Sequence, residues 1–476
     1  MATQNNKKVL DKPEWQTMCS APVASSAGAF IIKDPIGERR GALYLTSATV
    51  HYLYAADEDS WMQVPSMALA GTWGAGACGC YGNWSNTLTA NGGSTTTVTT
   101  ATSINGAAYG NTIRFLTGAN AGLERECTGY SIIPGGTNTL SFAALPNVVS
   151  SGDTFALSTG IYYILNAYTS LVSGVFKSYD PLTGVVSSLG TTNLPASWGT
   201  DGKLVGTPSY VGTYATGTAT SATNTTLVNS AKAWTADQWI NAQIRITGGT
   251  GIGQIRTITD NDATSVTVAT WTVNPDSTST YAIEPNDDFF YLAGNGAVTM
   301  YRYSRSANSW TVMAPTTART GAPSTGMGLN WCGKSGNAIW ENENNCLDGR
   351  FLYSFRGGAS SNMDRFDIAG GTAGAGAWLA VTYLGKQETF STGSSYDMGY
   401  GCKLYARKDA TKRIFQYDIT GNYLYPFATD FYADGTALLG DKLFTVTYDD
   451  ETGGDLIEWL YVLQNTGTVL RRVMIY

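Results

Sequence analysis

Tyr301-Arg302-Tyr303-Ser304-Arg305-Ser306-Ala307-Asn308-Ser309-Trp310-Thr311-Val312-Met313 is the stretch on which the fold turns. It reads as a strand ending in an aromatic residue, a polar turn through Ser306-Ala307-Asn308, and a further strand carrying Trp310. Aromatic and β-branched residues suit a pleated, half-buried surface, whereas Ser and Asn favour turns because their side chains bond nearby backbone. The unit recurs along the chain. Leu43-Tyr44-Leu45, Tyr162-Tyr163-Ile164, Phe290-Tyr291-Leu292, Phe351-Leu352-Tyr353, Lys403-Leu404-Tyr405 and Leu460-Tyr461-Val462 each begin a short strand followed by a turn. Second strands then end in an aromatic with Asp or a turn residue, as in Ser178-Tyr179-Asp180, Arg302-Tyr303, Arg365-Phe366-Asp367 and Gln416-Tyr417-Asp418. Trp310 and Trp378 mark third strands in two of the units.

This order of aromatic strand, turn, strand, turn and Trp is similar to the blade pattern of kelch-like β-propellers. Tyr303, Asn308, Trp310 and Met313 stand where such a blade carries its signature. The paired glycines of that family are evident only at Gly357-Gly358, and the spacing of the units is uneven. The resemblance implies an all-β ring of four-stranded blades, an arrangement that hides sheet edges by closure. The last strand, Val469-Leu470-Arg471-Arg472-Val473-Met474-Ile475-Tyr476, is expected to close that ring with an N-terminal strand.

A second repetition explains the uneven spacing. Ile113-Arg114 is followed by Gly118, Gly122 and Arg125, and Ile244-Arg245 by Gly249, Gly253 and Arg256, every pair 131 residues apart. Pro134-Gly135-Gly136 has no partner, after which Leu140-Ser141-Phe142 matches Val266-Thr267-Val268 and Phe155-Ala156-Leu157 matches Tyr281-Ala282-Ile283. Two copies of one β-rich module are therefore expected as insertions in loops between early strands, where added length costs little closure entropy. The expected layout is an N-terminal arm over 1–41, a propeller core over 42–86, 160–217 and 286–476, and modules over 87–159 and 218–285. The arm has too little periodicity to build a core of its own, so it is expected to order against another protein or a neighbouring copy.

Composition excludes several functions. Only 14% of the residues are charged and the formal net charge is −7, so no basic stripe exists for counterion-release binding of nucleic acid. No stretch reaches the apolar length of a membrane helix, and the N-terminus has no apolar core of a secretory signal, which points to folding in a cytoplasm. Seven cysteines at irregular spacing argue for buried thiols, Cys78-Gly79-Cys80 included, and against a disulfide framework. Surfaces rich in Gly, Thr, Ser and Asn are usual in virion parts and extracellular β-proteins. Assembly into a particle inside a host cell reconciles that surface with the missing signal.

Candidate chemistry is sparse. His51 is the one histidine, which removes a two-histidine copper or zinc site, and it reads as an ordinary strand residue. The acidic groups Asp57-Glu58-Asp59, Asp287-Asp288, Glu341 with Glu343, and Asp449-Asp450-Glu451 sit in polar turn-like runs and read as solvated loops, without the geometry of a glycosidase pair. Gly248-Gly249-Thr250-Gly251-Ile252-Gly253 lacks the Lys of a phosphate loop and leads into a strand, so it reads as a turn. Arg114, Arg125, Arg245 and Arg256 are expected to face one another across hairpins or to pair with acids within their own module. No catalytic, metal or cofactor-binding residue is expected.

The module pattern I-R-x3-G-x3-G-x2-R, followed by Val-Thr-Val and then Trp271, Pro275-Asp276-Ser277 and Tyr281-Ala282-Ile283, resembles β-modules of tailed-bacteriophage structural proteins. That resemblance implies a non-enzymatic virion protein, most specifically a tail hub or nozzle component in an oligomeric ring. Its partners would be other tail or neck proteins and copies of itself. The alternative is a carbohydrate-binding, fibre- or lectin-like protein that recognises host surface glycans through exposed aromatic residues; a glycan hydrolase ranks third.

Overall fold

A computed structural model describes residues 15–23, 29–34, 41–45, 50–64, 76–104, 108–131, 133, 136–166, 175–206, 213–332, 350–391, 394–399, 403–408, 413–428, 442–449, 456–463 and 468–474. All regular structure among them is β. Six sheets follow one another as the blades of a β-propeller. Blade one is Phe30–Asp34, Gly41–Leu45, His51–Ala55 and Ser60–Val64, from the inside outwards. Blade two is Cys78–Gly82, Ile161–Leu165, Phe176–Asp180 and Val185–Ser188, and blade three is Lys203–Gly206, Phe289–Ala293, Met300–Ser304 and Ser309–Val312. Blade four is Asn330–Cys332, Phe351–Phe355, Met363–Asp367 and Ala377–Val381. Blade five is Ser395–Gly399, Lys403–Arg407, Ile414–Asp418 and Tyr423–Ala428, with Leu384–Gly385 added parallel to its outer strand.

Blade six closes the ring. Its strands Lys442–Asp449, Leu456–Leu463 and Leu470–Met474 are completed by Gln16–Thr17, with Gln16 opposite Arg472 and Thr17 opposite Arg471. The expected closure between the two ends of the chain is thus present. It corrects the arm: Gln16–Thr17 and Phe30–Asp34, expected from sequence to order against another protein or a neighbouring copy, are blade strands of this chain. These stretches are too short for periodicity to show, and their partners lie at the far end of the chain or in the next strand; residues 1–14 lie outside the described residues.

The blades pack through the aromatic residues that announced them. Tyr163 lies 4.2 Å from Phe290 between blades two and three, and Phe176 meets Tyr303 edge-on at 4.8 Å. The Tyr-to-Asn spacing also has a physical cause. Tyr303 donates its hydroxyl proton to Asn308 Oδ1 at 2.7 Å, Tyr417 to Asn422 at 2.8 Å and Tyr54 to Asp59 at 2.8 Å. The acceptors all have positive φ, 48°, 51° and 46°, a conformation that Asn and Asp tolerate better than other side-chain-bearing residues. Asn308→Ala should therefore lose about 2 kcal/mol in chemical denaturation, because it strands the Tyr303 hydroxyl and strains the turn. Asn308→Asp, which copies Asp59, should be nearly neutral; equal losses from both would show that the turn does not depend on this bond.

Both modules enter the propeller at the same place in consecutive blades. Leu88–Leu157 lies between the first and second strands of blade two, and Ala215–Glu284 between the first and second strands of blade three. Each module is a seven-stranded sheet with one order. The first runs Leu88–Thr89, Thr154–Leu157, Thr112–Phe115, Glu124–Ser131, Asn138–Phe142, Thr97–Thr100, Gly92–Gly93. The second runs Ala215–Thr218, Thr280–Glu284, Gln243–Gly248, Ile255–Asn261, Ser265–Val268, Thr226–Val228, Ser221–Ala222. Bulges at Cys127/Gly129 and Ile258/Asp260 keep the same offset as the motif. The second sheet begins at Ala215 rather than at 218, since this Gly- and Thr-rich edge strand has no apolar alternation to reveal it.

Each module has its own core, around Phe115, Phe142 and Phe155 in the first and around Trp239, Trp271 and Tyr281 in the second. Leu182 from the outer hairpin of blade two completes the first core, and Asn241 of the second module reaches the backbone of Gly374 in blade four at 3.5 Å.

Candidate functional site

The duplicated motif forms the contact between the two modules, and the contact has an internal two-fold. Glu124 N–H donates to Gly253 O at 2.8 Å, and Ile255 N–H donates to Gly122 O at 2.7 Å. Leu123 and Gln254, which occupy the same motif position in the two copies, face each other as an antiparallel bridge. Gly122 and Gly253 have φ of 77° and 82°, and a Cβ on either would run into the Arg of the opposite module, Arg256 or Arg125. The repeated Gly-x2-Arg spacing therefore serves a homotypic clasp. Each glycine turns a strand edge outwards, and each arginine lies against the glycine of the other copy.

Charge locks the clasp to the propeller. Arg114, in the strand Thr112–Phe115, donates through Nε to Glu124 at 2.7 Å and through both terminal nitrogens to Asp287 at 2.7 and 2.8 Å. Arg245, its counterpart in the second module, pairs with Glu124 across the contact and with Glu284 at 3.2 Å. Asp287 lies in the turn by which the chain leaves the second module for blade three. It also accepts a proton from Trp84 Nε1 at 2.8 Å, and the Arg114 guanidinium sits 4.0 Å from the Trp84 ring. One cluster thus ties both modules to the segments entering module one and leaving module two.

Burial alone would raise the Asp287 carboxyl, but the Arg114 charge and the hydrogen bonds from Arg114 and Trp84 outweigh it and hold it at about 2. Burial raises Glu284 despite Arg245 beside it. The folded value of Asp287 lies below its unfolded one, so its stabilisation is complete above about pH 4 and is lost as pH falls towards 2. Clasp amides should stay protected from exchange at pH 5 and lose protection between about pH 4 and 2. Opening near pH 6 would rule out this cluster as the lock.

Asp287 is corrected: it is a buried ion-pair partner, because Arg114 reaches it from 173 residues away. Asp288 accepts from Ser304, Ser306 and the Ser306 amide as a turn former. Asp59 is the turn acceptor of Tyr54; Glu341, Glu343, Asp450, Glu451 and the Asp449 side chain lie outside the described residues. Arg114 and Arg245 do pair with acids of their own modules, Glu124 and Glu284, but Arg245 also pairs with Glu124 of the other module, and Arg125 and Arg256 are corrected, since they bond carbonyls. His51 is fully buried in its strand and held down at about 4 by that burial. Cys78 and Cys80 are buried free thiols, with burial pushing Cys78 up to about 12. Of the Gly248 to Gly253 stretch, Gly248 ends the strand Gln243–Gly248 and the rest is the turn that leads to Ile255–Asn261.

Sequence reasoning missed the propeller axis, where Lys33 of blade one reaches Asp397 of blade five at 3.5 Å and the Thr445 amide of blade six donates to the same carboxylate at 2.6 Å. Lys33-Asp34 and Asp397 carry no spacing signal, so only the ring could bring them together. Among the described residues no group of three or more His, Cys, Asp or Glu side chains is placed to hold a metal ion, and no helix is long and apolar enough to cross a membrane.

No known family model and no curated protein matches the chain. Among solved structures it is similar to a luciferin-regenerating enzyme at 8% identity and a TM-score of 0.33, over 97% of this chain and 95% of that one. A likeness that distant carries no argument about activity.

Proposed function

We propose that this chain is a non-enzymatic virion structural protein of a tailed bacteriophage, most specifically a tail hub or nozzle subunit that forms a ring with copies of itself and contacts other tail or neck proteins. The observation that carries the reading is the clasp. Two copies of a module whose motif resembles phage β-modules are fixed to consecutive blades, with buried charges spent on holding their relative position. A paired projection held in one geometry on a propeller suits a subunit that must repeat that geometry around an axis. The alternative, a glycan-binding host-recognition protein, draws support from Tyr109 and Tyr130, which are 66% and 47% exposed on the first module.

Native mass spectrometry and electron microscopy of the full chain, alone and mixed with dissociated tail proteins, test this. A closed ring of fixed copy number is expected in at least one condition. A monomer in both, or polysaccharide turnover abolished by one Asp or Glu substitution, would overturn the reading.

A further inference from the structure

The pseudo-two-fold of the clasp provides an internal control for what each side of it does. On the second-module side, Arg256 makes three hydrogen bonds, one of them to a side chain. Its Nε donates to Thr270 O at 3.1 Å, Nη1 to Ile255 O at 2.8 Å and Nη2 to Thr272 Oγ1 at 3.0 Å. Thr272 in turn donates to Ala121 O of the first module at 2.9 Å, and the guanidinium lies 5.7 Å from the Trp271 ring. Threonine plugs that side.

Register fixes the equivalent positions on the first-module side, because Leu145 N–H and Trp271 N–H make matching bonds to Thr95 O and Asn224 O. Pro146 therefore stands where Thr272 stands, Leu145 where Trp271 stands, and Ile252 where Ala121 stands. Arg125 repeats two of the bonds, Nε to Ala144 O at 3.2 Å and Nη1 to Glu124 O at 2.7 Å. Its Nη2 has only the same Ala144 carbonyl, at 3.2 Å, because proline offers no hydroxyl. Nη1 also reaches Ile252 O of the second module at 3.4 Å, so every bond of Arg125 is to a backbone carbonyl, whereas Arg256 also has a hydroxyl partner. A cleft of about 300 Å³ opens beside Arg125, walled by Leu123, Leu145, Pro146, Ile252 and Val273.

We propose that this cleft binds a carboxylate carried on a short aliphatic body, with Arg125 receiving the carboxylate and the two modules supplying the walls. Three features favour this ligand. Among the described residues Arg125 has no carboxylate partner, so its charge is met only by carbonyl dipoles. Burial holds the Arg125 guanidinium below its ordinary value, and an arriving anion would relieve that cost. The walls are aliphatic and the volume lies at the small end of ligand sites, which suits a branched chain of a few carbons and disfavours a multiply charged phosphate or a hydroxyl-rich sugar. The same chemistry is offered by a free small acid and by an aliphatic residue at the C-terminus of a partner chain.

Saturation-transfer NMR on the full chain, with 4-methylpentanoate and N-acetyl-leucine as probes and their amides as controls, tests the proposal. Both acids should bind saturably and each amide at least about tenfold more weakly. Tighter binding of N-acetyl-leucine would assign the site to a chain terminus, and equal binding to a free acid. Pro146→Thr copies the plugged side and should reduce acid binding at least about tenfold with the melting temperature retained; Leu145→Trp should act in the same direction. No saturable binding of either acid, amides that bind as well as the acids, or undiminished binding by both variants would overturn it.

Discussion

Arg114→Met is expected to destabilise the junction of the modules by about 3–5 kcal/mol, the range for removing one partner of a buried ion pair. Arg114 and Asp287 are each 8% exposed, and their two nitrogen–oxygen contacts are 2.7 and 2.8 Å. Without the guanidinium, the side-chain hydrogen bond left to Asp287 among the described residues is the one from Trp84, and Glu124 keeps Arg245. Asp287→Asn is expected to cost less, since Trp84 still finds an acceptor and Arg114 still has Glu124. The pair Arg114→Met with Asp287→Asn should then be more stable than Arg114→Met alone, because no buried carboxylate remains without its cation. Hydrogen exchange at the amides of Glu124 and Ile255 reads the junction directly, while denaturation reads the whole chain. Strictly additive losses in this double-mutant cycle would show that the pair is not coupled.

Legibility of the fold followed side-chain chemistry. Many of the second, third and fourth strands, such as Gly41–Leu45, Phe289–Ala293 and Ser309–Val312, carry Tyr, Phe or Trp that fill the space between blades, and they announced the propeller. The innermost strands did not. Cys78–Gly82 and Lys203–Gly206 are short and glycine-bearing because neighbouring backbone comes very close: a Cβ at Gly79 would lie 2.5 Å from Tyr163 O, and one at Gly206 2.5 Å from Tyr81 O. Residues chosen for what they lack leave no periodic trace.

The same limit applied to the site. The repeated Gly and Arg positions were evident, yet a spacing within one copy cannot say that its partner is the other copy. Asp287 was hidden for a related reason, as its surroundings in sequence are those of a polar turn and its cation is supplied from another module.

Gly122→Ala and Gly253→Ala should both open the clasp, with equal consequences if the two-fold is real. Each glycine has φ near 80°, which costs an alanine about 1–2 kcal/mol. Each new methyl group also meets the partner strand, at 2.8 Å from Ile255 O for Gly122 and 2.8 Å from Glu124 O for Gly253, beside the arginine of the other module. The backbone oxygens cannot move without breaking the bonds from Glu124 to Gly253 and from Ile255 to Gly122. A loss of about 2–4 kcal/mol is expected for either variant, seen as exchange protection lost at Glu124 and Ile255 together while Phe155 and Tyr281, inside the two separate cores, stay protected. The double substitution should add little to the first, because one contact is being broken twice. Gly152→Ala serves as the control: its φ is 91° but a Cβ there meets nothing within 4 Å, so it should show the backbone strain without the loss of protection at the clasp. If Gly152→Ala exposes Glu124 and Ile255 as fully as Gly122→Ala does, the glycines are needed for their turns alone and the homotypic contact is incidental.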